Sequence, residues 1–227
     1  MDNIKHIFFD LDHTLWDFDK NSKLSFQQIF KEQNIDFDFE LFIETYIPIN
    51  HKYWELYREE KVSKADLRYG RLKDTFNTLK FNIDDELINL IAVDYIEYLP
   101  KYNHLIDGSI DLLEYLKKKY QLHIITNGFK EVQFQKLEKS NIKQYFNIIV
   151  TSDCVGVKKP NPRVFEYALE KVNSPAQDCV MIGDSYEADV LGAFNTGILP
   201  IHFDIYKKTS TNSFAKVNSL MEIKQYL

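Results

Sequence analysis

The stretch Ile4-Lys5-His6-Ile7-Phe8-Phe9-Asp10-Leu11-Asp12 decides how the chain is interpreted. Its apolar residues predict a buried β-strand, and a buried strand that ends in two carboxylates is costly unless their charge is compensated. Alternate residues of an extended chain point to the same side, so we expect Asp10 and Asp12 to face one spot beyond the strand. Like charges at that distance need a cation or a shared proton. The stretch therefore predicts a metal-dependent site with a nucleophile and an acid–base partner.

The composition predicts a folded, acidic protein. The chain has 227 residues, a length that predicts one large domain or two unequal ones. Its hydrophobic content of 44% is enough to form a core. A formal net charge of -6 gives no basis for binding nucleic acid or an anionic membrane. We expect no secretory signal and no transmembrane helix, because the start of the chain carries carboxylates and no apolar stretch reaches about 18 residues. The two scattered cysteines, Cys154 and Cys179, predict a reduced, cytoplasmic protein.

Short apolar strands alternate with helical patterns at the start of the chain and again from about residue 105 to residue 227. This alternation predicts a doubly wound parallel sheet. The predicted strands are Ile4–Phe9, Leu122–Thr126, Ile148–Thr151, Val180–Gly183 and Leu199–Phe203. The predicted helices between them are Ser109–Lys118, Lys130–Lys139, Pro162–Lys171 and Tyr186–Asn195.

The intervening segment has helical periodicity only. Apolar residues recur at helical spacing over Phe26–Gln33, Phe39–Tyr46 and Leu87–Tyr95, and Ser63 opens a further helix. We therefore predict an α/β protein whose sheet domain consists of residues 1–16 and 102–227, with an inserted all-helical domain over residues 17–101.

Polar clusters follow three further predicted strands. They are Thr126-Asn127-Gly128 after the second strand, Lys158-Lys159-Pro160 in the loop after the third, and Gly183-Asp184 with Asp189 after the fourth. In open α/β sheets, ligands bind beyond the carboxyl ends of the strands, near the point where strand order reverses. We therefore expect these clusters and the first motif to meet at one edge of the sheet.

Together the clusters supply a nucleophile, charge neutralisation and donors, which are the requirements of phosphoryl transfer. Mg²⁺ favours one or two carboxylates together with phosphate oxygens and waters, and Asp10 and Asp184 can provide those carboxylates. Asp189 can hold a metal-bound water. The Thr126 hydroxyl and backbone N–H groups near Asn127 can bind phosphate. A loop lysine, Lys158 or Lys159, can offset the charge of the nucleophile and of the phosphoryl group.

In these motifs the sequence resembles the haloacid dehalogenase superfamily, along the whole chain. The four motifs stand in the family's order, Asp10-x-Asp12-x-Thr14, Thr126-Asn127, Lys159-Pro160, and Gly183-Asp184 followed by Asp189. One Asp-x-Asp string is common to many Mg²⁺ sites, whereas four ordered motifs are specific. The resemblance implies a Rossmann-like core, identifies the helical insert as the family's first cap type, and favours Lys159 over Lys158.

The resemblance also implies a mechanism. Asp10 attacks phosphorus and becomes an aspartyl-phosphate, while Asp12 protonates the leaving oxygen and then deprotonates the hydrolytic water. Mg²⁺ is held by Asp10, the backbone carbonyl of Asp12, and Asp184, with Asp189 in the outer coordination sphere. An acid–base residue at position 12 is typical of the phosphatases of the family; its dehalogenases lack it and need no metal.

The substrate expectation rests on shorter strings. His13 stands where many phosphatases of the family have glycine. The string around it, with Asn50, Trp54 and Arg71 in the helical insert, is similar to a subgroup of pyrimidine 5′-nucleotidases. We therefore expect a small phosphorylated metabolite, a pyrimidine nucleoside monophosphate, with Asn50, Trp54 and Arg71 as substrate-binding candidates. An aromatic residue at helical spacing such as Trp54 is also a normal core residue.

Other activities stay open on this scaffold. One is a sugar-phosphate phosphatase or phosphomutase. Another is a phosphonate hydrolase, which needs a lysine such as Lys52 or Lys64 to form an imine with its substrate. A non-catalytic phospho-receiver also combines Asp, Thr and Lys, but receivers lack a large helical insert and an acid–base residue two positions beyond the phosphorylated aspartate.

Overall fold

The chain divides into two units, which the computed structural model describes over residues 3–207 and 213–227. The first unit joins Met1–Asp19 to Asn103–Leu227, and the second is the intervening segment Lys20–Tyr102. The second unit, called the helical unit below, is therefore an insertion, because the chain leaves the first unit and later returns to it.

A six-stranded sheet with the order β3-β2-β1-β4-β5-β6 forms the centre of the first unit. Each neighbouring pair is parallel, which confirms the predicted doubly wound, Rossmann-like α/β fold. The strand order reverses between β1 and β4, the position at which such sheets bind ligands. The strands are β1 His6–Phe9, β2 Gln121–Thr126, β3 Phe146–Thr151, β4 Cys179–Gly183, β5 Leu199–Phe203 and β6 Ala215–Val217.

Helices make up the helical unit and connect the strands of the sheet. In the described residues they are α1 Phe18–Glu32, α2 Phe39–Arg58, α3 Lys64–Thr78, α4 Asp85–Tyr98, α5 Ser109–Leu116, α6 Lys130–Lys139, α7 Ser152–Val155, α8 Pro162–Val172 and α9 Gly192–Phe194. None of them has the length and apolar character needed to cross a membrane.

The first unit differs from the sequence prediction in two details. The predicted helix Tyr186–Asn195 is present, but it begins as a π-helical turn, Tyr186–Leu191, before the short helix α9. The turn is wide because two successive N–H groups, those of Asp189 and Val190, both bond to the carbonyl oxygen of Ser185. Strand β6 was not predicted, because three residues with a central lysine carry too little apolar pattern.

The core of the first unit is continuous with its strands. All four residues of β1 are buried, as expected for a central strand of a parallel sheet. Phe8 packs in one cluster with Met181 of β4 and Phe165 of α8. Cys179 belongs to the same cluster, so this cysteine has a packing role.

The helical unit has an aromatic core, and no strand occurs among its described residues, 20–102. Helix α3 begins with a capping box, in which Ser63 Oγ accepts from the Asp66 N–H and the Asp66 carboxylate accepts from the Ser63 N–H. Rings from α1, α2 and α4 contact each other, with Phe26 lying 4.7 Å from Tyr46 and 4.5 Å from Tyr95 between ring centres. These buried rings stabilise the bundle.

Candidate active site

Lys159 and Asp10 form a buried ion pair just beyond β1. The Lys159 Nζ lies 2.7 Å from Asp10 Oδ1, 2.6 Å from Asp189 Oδ1 and 2.7 Å from the carbonyl oxygen of Ile125. These acceptors use all the N–H donors of the ammonium group. Lys159 is only 2% exposed, so its position is fixed by these contacts. Of the two candidate lysines, Lys159 is thus in contact with Asp10 and Asp189.

Asp184 adds a third carboxylate. Oxygen atoms of Asp10, Asp184 and Asp189 all lie within 4.8 Å of one another. Asp10 follows β1 and Asp184 follows β4, and the two strands are neighbours, so their carboxyl ends meet. The Thr14 hydroxyl donates to Asp184 Oδ1 at 3.4 Å. We call these three carboxylates the acidic cluster.

Burial makes the charges of the acidic cluster costly. Burial raises the pKa of Asp10 well above its ordinary value; the Lys159 charge opposes that shift, and the Asp189 and Asp184 charges add to it. Burial also raises the pKa of Asp184, and the Asp189 charge adds to the effect. Burial by itself lowers the pKa of Lys159, but the two adjacent carboxylates outweigh it and hold that pKa above its usual range. The cluster therefore has more negative charge than one ammonium group compensates.

Gly183 makes room for Asp189. A Cβ on Gly183 would lie 2.3 Å from Asp189 Oδ2, closer than any real contact. The same oxygen accepts a hydrogen bond from the backbone N–H of Ser185 at 3.0 Å. Asp189 itself is 1% exposed and stands on the π-helical turn. The glycine of the fourth motif is therefore required by the close approach of its own aspartate.

Thr126 ends β2 with its hydroxyl oriented by two donors. Its Oγ1 accepts from the backbone N–H of Gly128 at 3.2 Å and from Gln133 Nε2 at 2.8 Å. Because the oxygen is already the acceptor twice, the hydroxyl hydrogen is directed to another acceptor, as a phosphate-binding role requires.

Asn127 is tied to the backbone of Lys159. Its Oδ1 accepts from the Lys159 N–H at 2.8 Å, and its Nδ2 donates to the Lys159 carbonyl at 2.9 Å. The side chain of Asn127 thus positions the loop that carries Lys159. A phosphate contact from Asn127 falls to its backbone N–H.

The carboxylate of Asp12 has hydrogen-bond partners of its own on α6. Its Oδ1 accepts from Lys136 Nζ at 2.6 Å, and its Oδ2 accepts from Gln133 Nε2 at 2.9 Å. Burial raises the pKa of Asp10 and the charge of Asp12 adds to that shift, so the two carboxylates lie close enough to interact. The charge of Asp12 is compensated by a lysine of its own.

Gln133 and Lys136 were not predicted from the sequence. They lie three residues apart on α6 and are buried together with Val132 and Leu137. Two long polar side chains on the buried face of an amphipathic helix are unusual, and this is the signal that could have identified them.

In the helical unit, two of the three substrate-binding candidates are in contact. Arg71 Nη1 donates to Asn50 Oδ1 at 2.8 Å, and the guanidinium carbon lies 4.9 Å from the centre of the Tyr95 ring. Arg71 is 2% exposed; within the described residues no carboxylate pairs with it, and its Nε has no hydrogen-bond partner. Trp54 is partly buried and packs edge-on against Tyr57, with 5.7 Å between the ring centres.

Comparison with known proteins assigns this arrangement to a family. A family model of haloacid dehalogenase-like hydrolases matches residues 4–197, a span that contains all four motifs. The chain belongs to the haloacid dehalogenase-like hydrolases. The resemblance predicted from the four ordered motifs is thereby confirmed.

Relatives in this family include named phosphatases. The chain is 32% identical to the pyrimidine 5′-nucleotidase YjjG of Escherichia coli, over 97% of this chain and 96% of that protein. It is also 32% identical to the glyceraldehyde 3-phosphate phosphatase of Methanothermobacter thermautotrophicus, over 87% of this chain and 84% of that one. The chain is accordingly a hydrolase, and the names of both relatives support the prediction of a phosphoric monoester hydrolase.

A solved structure has the same fold over nearly the whole chain. The magnesium-bound HAD-hydrolase YfnB of Bacillus subtilis superimposes with a TM-score of 0.89 at 26% identity, covering 99% of each chain. Haloacid dehalogenase-like hydrolases generally use Mg²⁺, and the acidic cluster fits that ion. It consists of hard oxygen donors. Burial and the neighbouring carboxylates raise the pKa values of Asp10 and Asp184, and an added cation would oppose the repulsion between them.

The backbone at His13 has a conformation that suits glycine. His13 has φ of +61°, in the left-handed region that glycine adopts without strain. Its ring compensates through contacts, with Nδ1 3.3 Å from the Tyr206 hydroxyl and the ring centre 5.0 Å from that of Phe18. The contacts of the His13 ring therefore offset the strain of its left-handed backbone conformation.

Proposed function

We propose that the protein is a Mg²⁺-dependent phosphomonoesterase that works through an aspartyl-phosphate on Asp10. The observation that carries the proposal is the buried Asp10, which follows the central strand and is paired with Lys159 at 2.7 Å inside the acidic cluster. A nucleophile needs to be ionised and oriented, and the adjacent ammonium group favours the ionised form.

The residues of this chain divide the reaction into two steps. Asp10 Oδ forms a bond to phosphorus while the bond to the leaving oxygen breaks, and Asp12 gives that oxygen its proton. In the second step a water oxygen attacks phosphorus, its proton passes to Asp12, and the bond to Asp10 breaks. The Thr126 hydroxyl and the backbone N–H of Asn127 bind the phosphoryl oxygens. Lys159 offsets the negative charge on Asp10 and on the phosphoryl group.

Mg²⁺ would be held by Asp10, Asp184 and the backbone carbonyl of Asp12, with Asp189 contacting a metal-bound water. When bound, it supplies charge stabilisation to the phosphoryl oxygens. We further propose that the active site acts on small phosphorylated metabolites and that the enzyme works in the cytoplasm.

For the substrate we propose a pyrimidine nucleoside monophosphate. The support is the pyrimidine 5′-nucleotidase relative, which is covered almost end to end, and the Asn50–Arg71 pair in the helical unit. A buried guanidinium without a carboxylate partner is costly unless a ligand oxygen accepts its hydrogen bonds, and a nucleotide supplies such oxygens. Trp54 offers a partly exposed ring for stacking on the base.

A panel of phosphate esters tests the proposal. Phosphate release is measured for UMP, dUMP, dTMP, purine nucleotides and sugar phosphates, with Mg²⁺ or with EDTA, for the wild type and for Asp10→Asn. We expect Mg²⁺-dependent release, greatest for the pyrimidine nucleotides and absent in Asp10→Asn. Glu187→Gln is the matched control, because Glu187 is exposed on the same turn as Asp189.

Two other outcomes would change the proposal. Selective hydrolysis of a sugar phosphate, such as glyceraldehyde 3-phosphate, would replace the substrate and keep the mechanism; the relative from Methanothermobacter thermautotrophicus makes this the second candidate. If no ester releases phosphate, including 4-nitrophenyl phosphate, the phosphatase proposal is wrong.

A further inference from the structure

We propose that Gln133 and Lys136 are positioning residues that hold Asp12 as the acid–base group and couple it to the phosphate-binding Thr126. The inference rests on the proposed function and adds to it two residues outside the four motifs. Both lie on α6, and together they contact both carboxylate oxygens of Asp12.

The first observation is that Lys136 is held rigidly. It is 2% exposed, and its Nζ lies 2.6 Å from Asp12 Oδ1. The same ammonium group lies 4.2 Å from the centre of the Trp16 ring and 5.3 Å from that of Phe18. Trp16 is fixed in turn, since its indole N–H donates to Ser140 Oγ at 3.2 Å. A buried lysine that packs against two aromatic rings has little conformational freedom, so it fixes the carboxylate that it contacts.

The second observation is that Gln133 bridges two functional groups. Its Nε2 donates to Asp12 Oδ2 at 2.9 Å and to Thr126 Oγ1 at 2.8 Å, which uses both hydrogens of the amide. Gln133 is fully buried. A displacement of the Thr126 hydroxyl therefore moves the same amide that orients Asp12.

Gly128 supports the same interpretation. A Cβ at position 128 would lie 2.3 Å from Gln133 Cδ, so any other residue would displace the amide. The glycine of the Thr126-Asn127-Gly128 motif is thus needed because Gln133 packs against it. The second motif and α6 are built as one unit around the amide of Gln133.

This geometry suits proton transfer in both steps. Each carboxylate oxygen of Asp12 accepts one hydrogen bond and keeps a further lone pair for the proton that it gives to the leaving oxygen and later takes from water. Acid–base catalysis depends on holding that lone pair in line with the reacting oxygen. Gln133 and Lys136 fix the plane of the carboxylate and leave the proton transfer itself to Asp12.

The test compares two substrates that differ in leaving group and have nearly the same shape. The leaving group of 4-nitrophenyl phosphate departs with little help from a proton, whereas that of phenyl phosphate needs one. The ratio kcat/KM is measured for both, because it reports formation of the phosphoenzyme and excludes its hydrolysis. The variants are Lys136→Met and Gln133→Met, which keep side-chain length, with Lys139→Met as the control on the exposed face of α6.

We expect Lys136→Met to lose about 100-fold in kcat/KM on phenyl phosphate and less than about threefold on 4-nitrophenyl phosphate. Gln133→Met also removes a donor to Thr126, so it should lose activity on both esters, and at least about tenfold more on phenyl phosphate. Asp12→Asn should show the same selectivity, and Lys139→Met should equal the wild type. In the Asp12→Asn background, Lys136→Met should change the residual rate by less than about twofold, because its effect acts through Asp12.

Equal losses on both substrates in either variant, or a Lys136→Met loss that adds fully to that of Asp12→Asn, would overturn the inference and make the two residues structural. Gln133→Met keeps the Asp12–Lys136 ion pair, so it remains informative if Lys136→Met does not fold. Failure of the proposed function looks different: the wild type itself would then release no phosphate from either ester.

Discussion

Nδ1 of His6 and Nε2 of His123 lie 3.1 Å apart on the neighbouring strands β1 and β2. His123 is fully buried, and its Nδ1 has no hydrogen-bond partner within the described residues. Burial lowers the pKa of His123 to about 4, and the neighbouring His6 lowers it further. Burial therefore favours the neutral form of both histidines in the folded protein.

This pair predicts a loss of stability in mild acid. The unfolded chain takes up the His123 proton near pH 6.5, whereas the folded chain resists it until about pH 4. The contribution of His123 to the free energy of unfolding is complete above about pH 6.5. Below that pH it falls by up to about 1.4 kcal/mol per pH unit, until about pH 4. Urea unfolding between these pH values measures it, and His123→Gln should flatten the dependence. The exposed His104→Gln is the control, and an unchanged slope in His123→Gln would contradict the prediction.

Mg²⁺ should stabilise the protein through the acidic cluster, and more so at higher pH. The raised pKa values of Asp10 and Asp184 mean that the metal-free folded state keeps protons that the unfolded state has lost, so metal-free stability falls as pH rises. A bound cation displaces those protons. We expect stabilisation of about 2.7 kcal/mol at a Mg²⁺ concentration 100 times Kd. At one fixed Mg²⁺ concentration, the stabilisation should be larger at about pH 8 than at about pH 6.

Thermal unfolding with Mg²⁺ or EDTA measures this stabilisation. Asp184→Asn should lose most of it, while Glu187→Gln on the following turn should keep it. A Mg²⁺-induced shift that survives in Asp184→Asn would place the ion elsewhere.

Gly183→Ala should displace Asp189 from the acidic cluster. The added methyl group would meet Asp189 Oδ2 at 2.3 Å and displace the carboxylate from Lys159. Breaking a buried ion pair costs about 3–5 kcal/mol, so a loss of that size in unfolding free energy is expected, with loss of activity. Gly156→Ala is the comparison, because nothing lies within 4 Å of its Cβ position and only the strain of φ +83° remains, about 1–2 kcal/mol. Similar losses in the two variants would contradict the packing argument.

Arg71→Met should separate binding from stability in the helical unit. Replacing a buried, carboxylate-free guanidinium by an apolar side chain of similar length should leave the unfolding free energy unchanged or higher. If Arg71 binds substrate, KM for the nucleotide rises about tenfold or more, and Arg71→Lys does not restore it because the planar donor fork is lost. A destabilised variant with unchanged KM would assign Arg71 a structural role.

The strands and the parallel sheet were predictable from hydrophobic patterns within short segments of the sequence. Apolar runs and their alternation with helices located five of the six strands and the parallel sheet, because each strand of such a sheet is buried along its length. The sixth strand is too short to carry that signal. The π-helical turn was missed because Asp189 and Val190 share one acceptor, a detail that a helical pattern does not encode.

The site was predictable where motifs follow strands. Strand ends that are neighbours in a parallel sheet bring their following residues together, so Asp10, Asp184 and Lys159 converge as expected. The partners of Asp12 were not predictable, because Gln133 and Lys136 lie on α6, far from Asp12 in the sequence.

By itself, the sequence determined the fold class and the family, since periodicity and four ordered motifs are properties of short segments. Only the tertiary structure decided which polar side chains share a partner. Lys136 with Asp12, Gln133 with Thr126 and Arg71 with Asn50 each join different elements of the chain. Burial of a charged or polar group is stable only when such a partner is present, and that pairing depends on how distant segments pack.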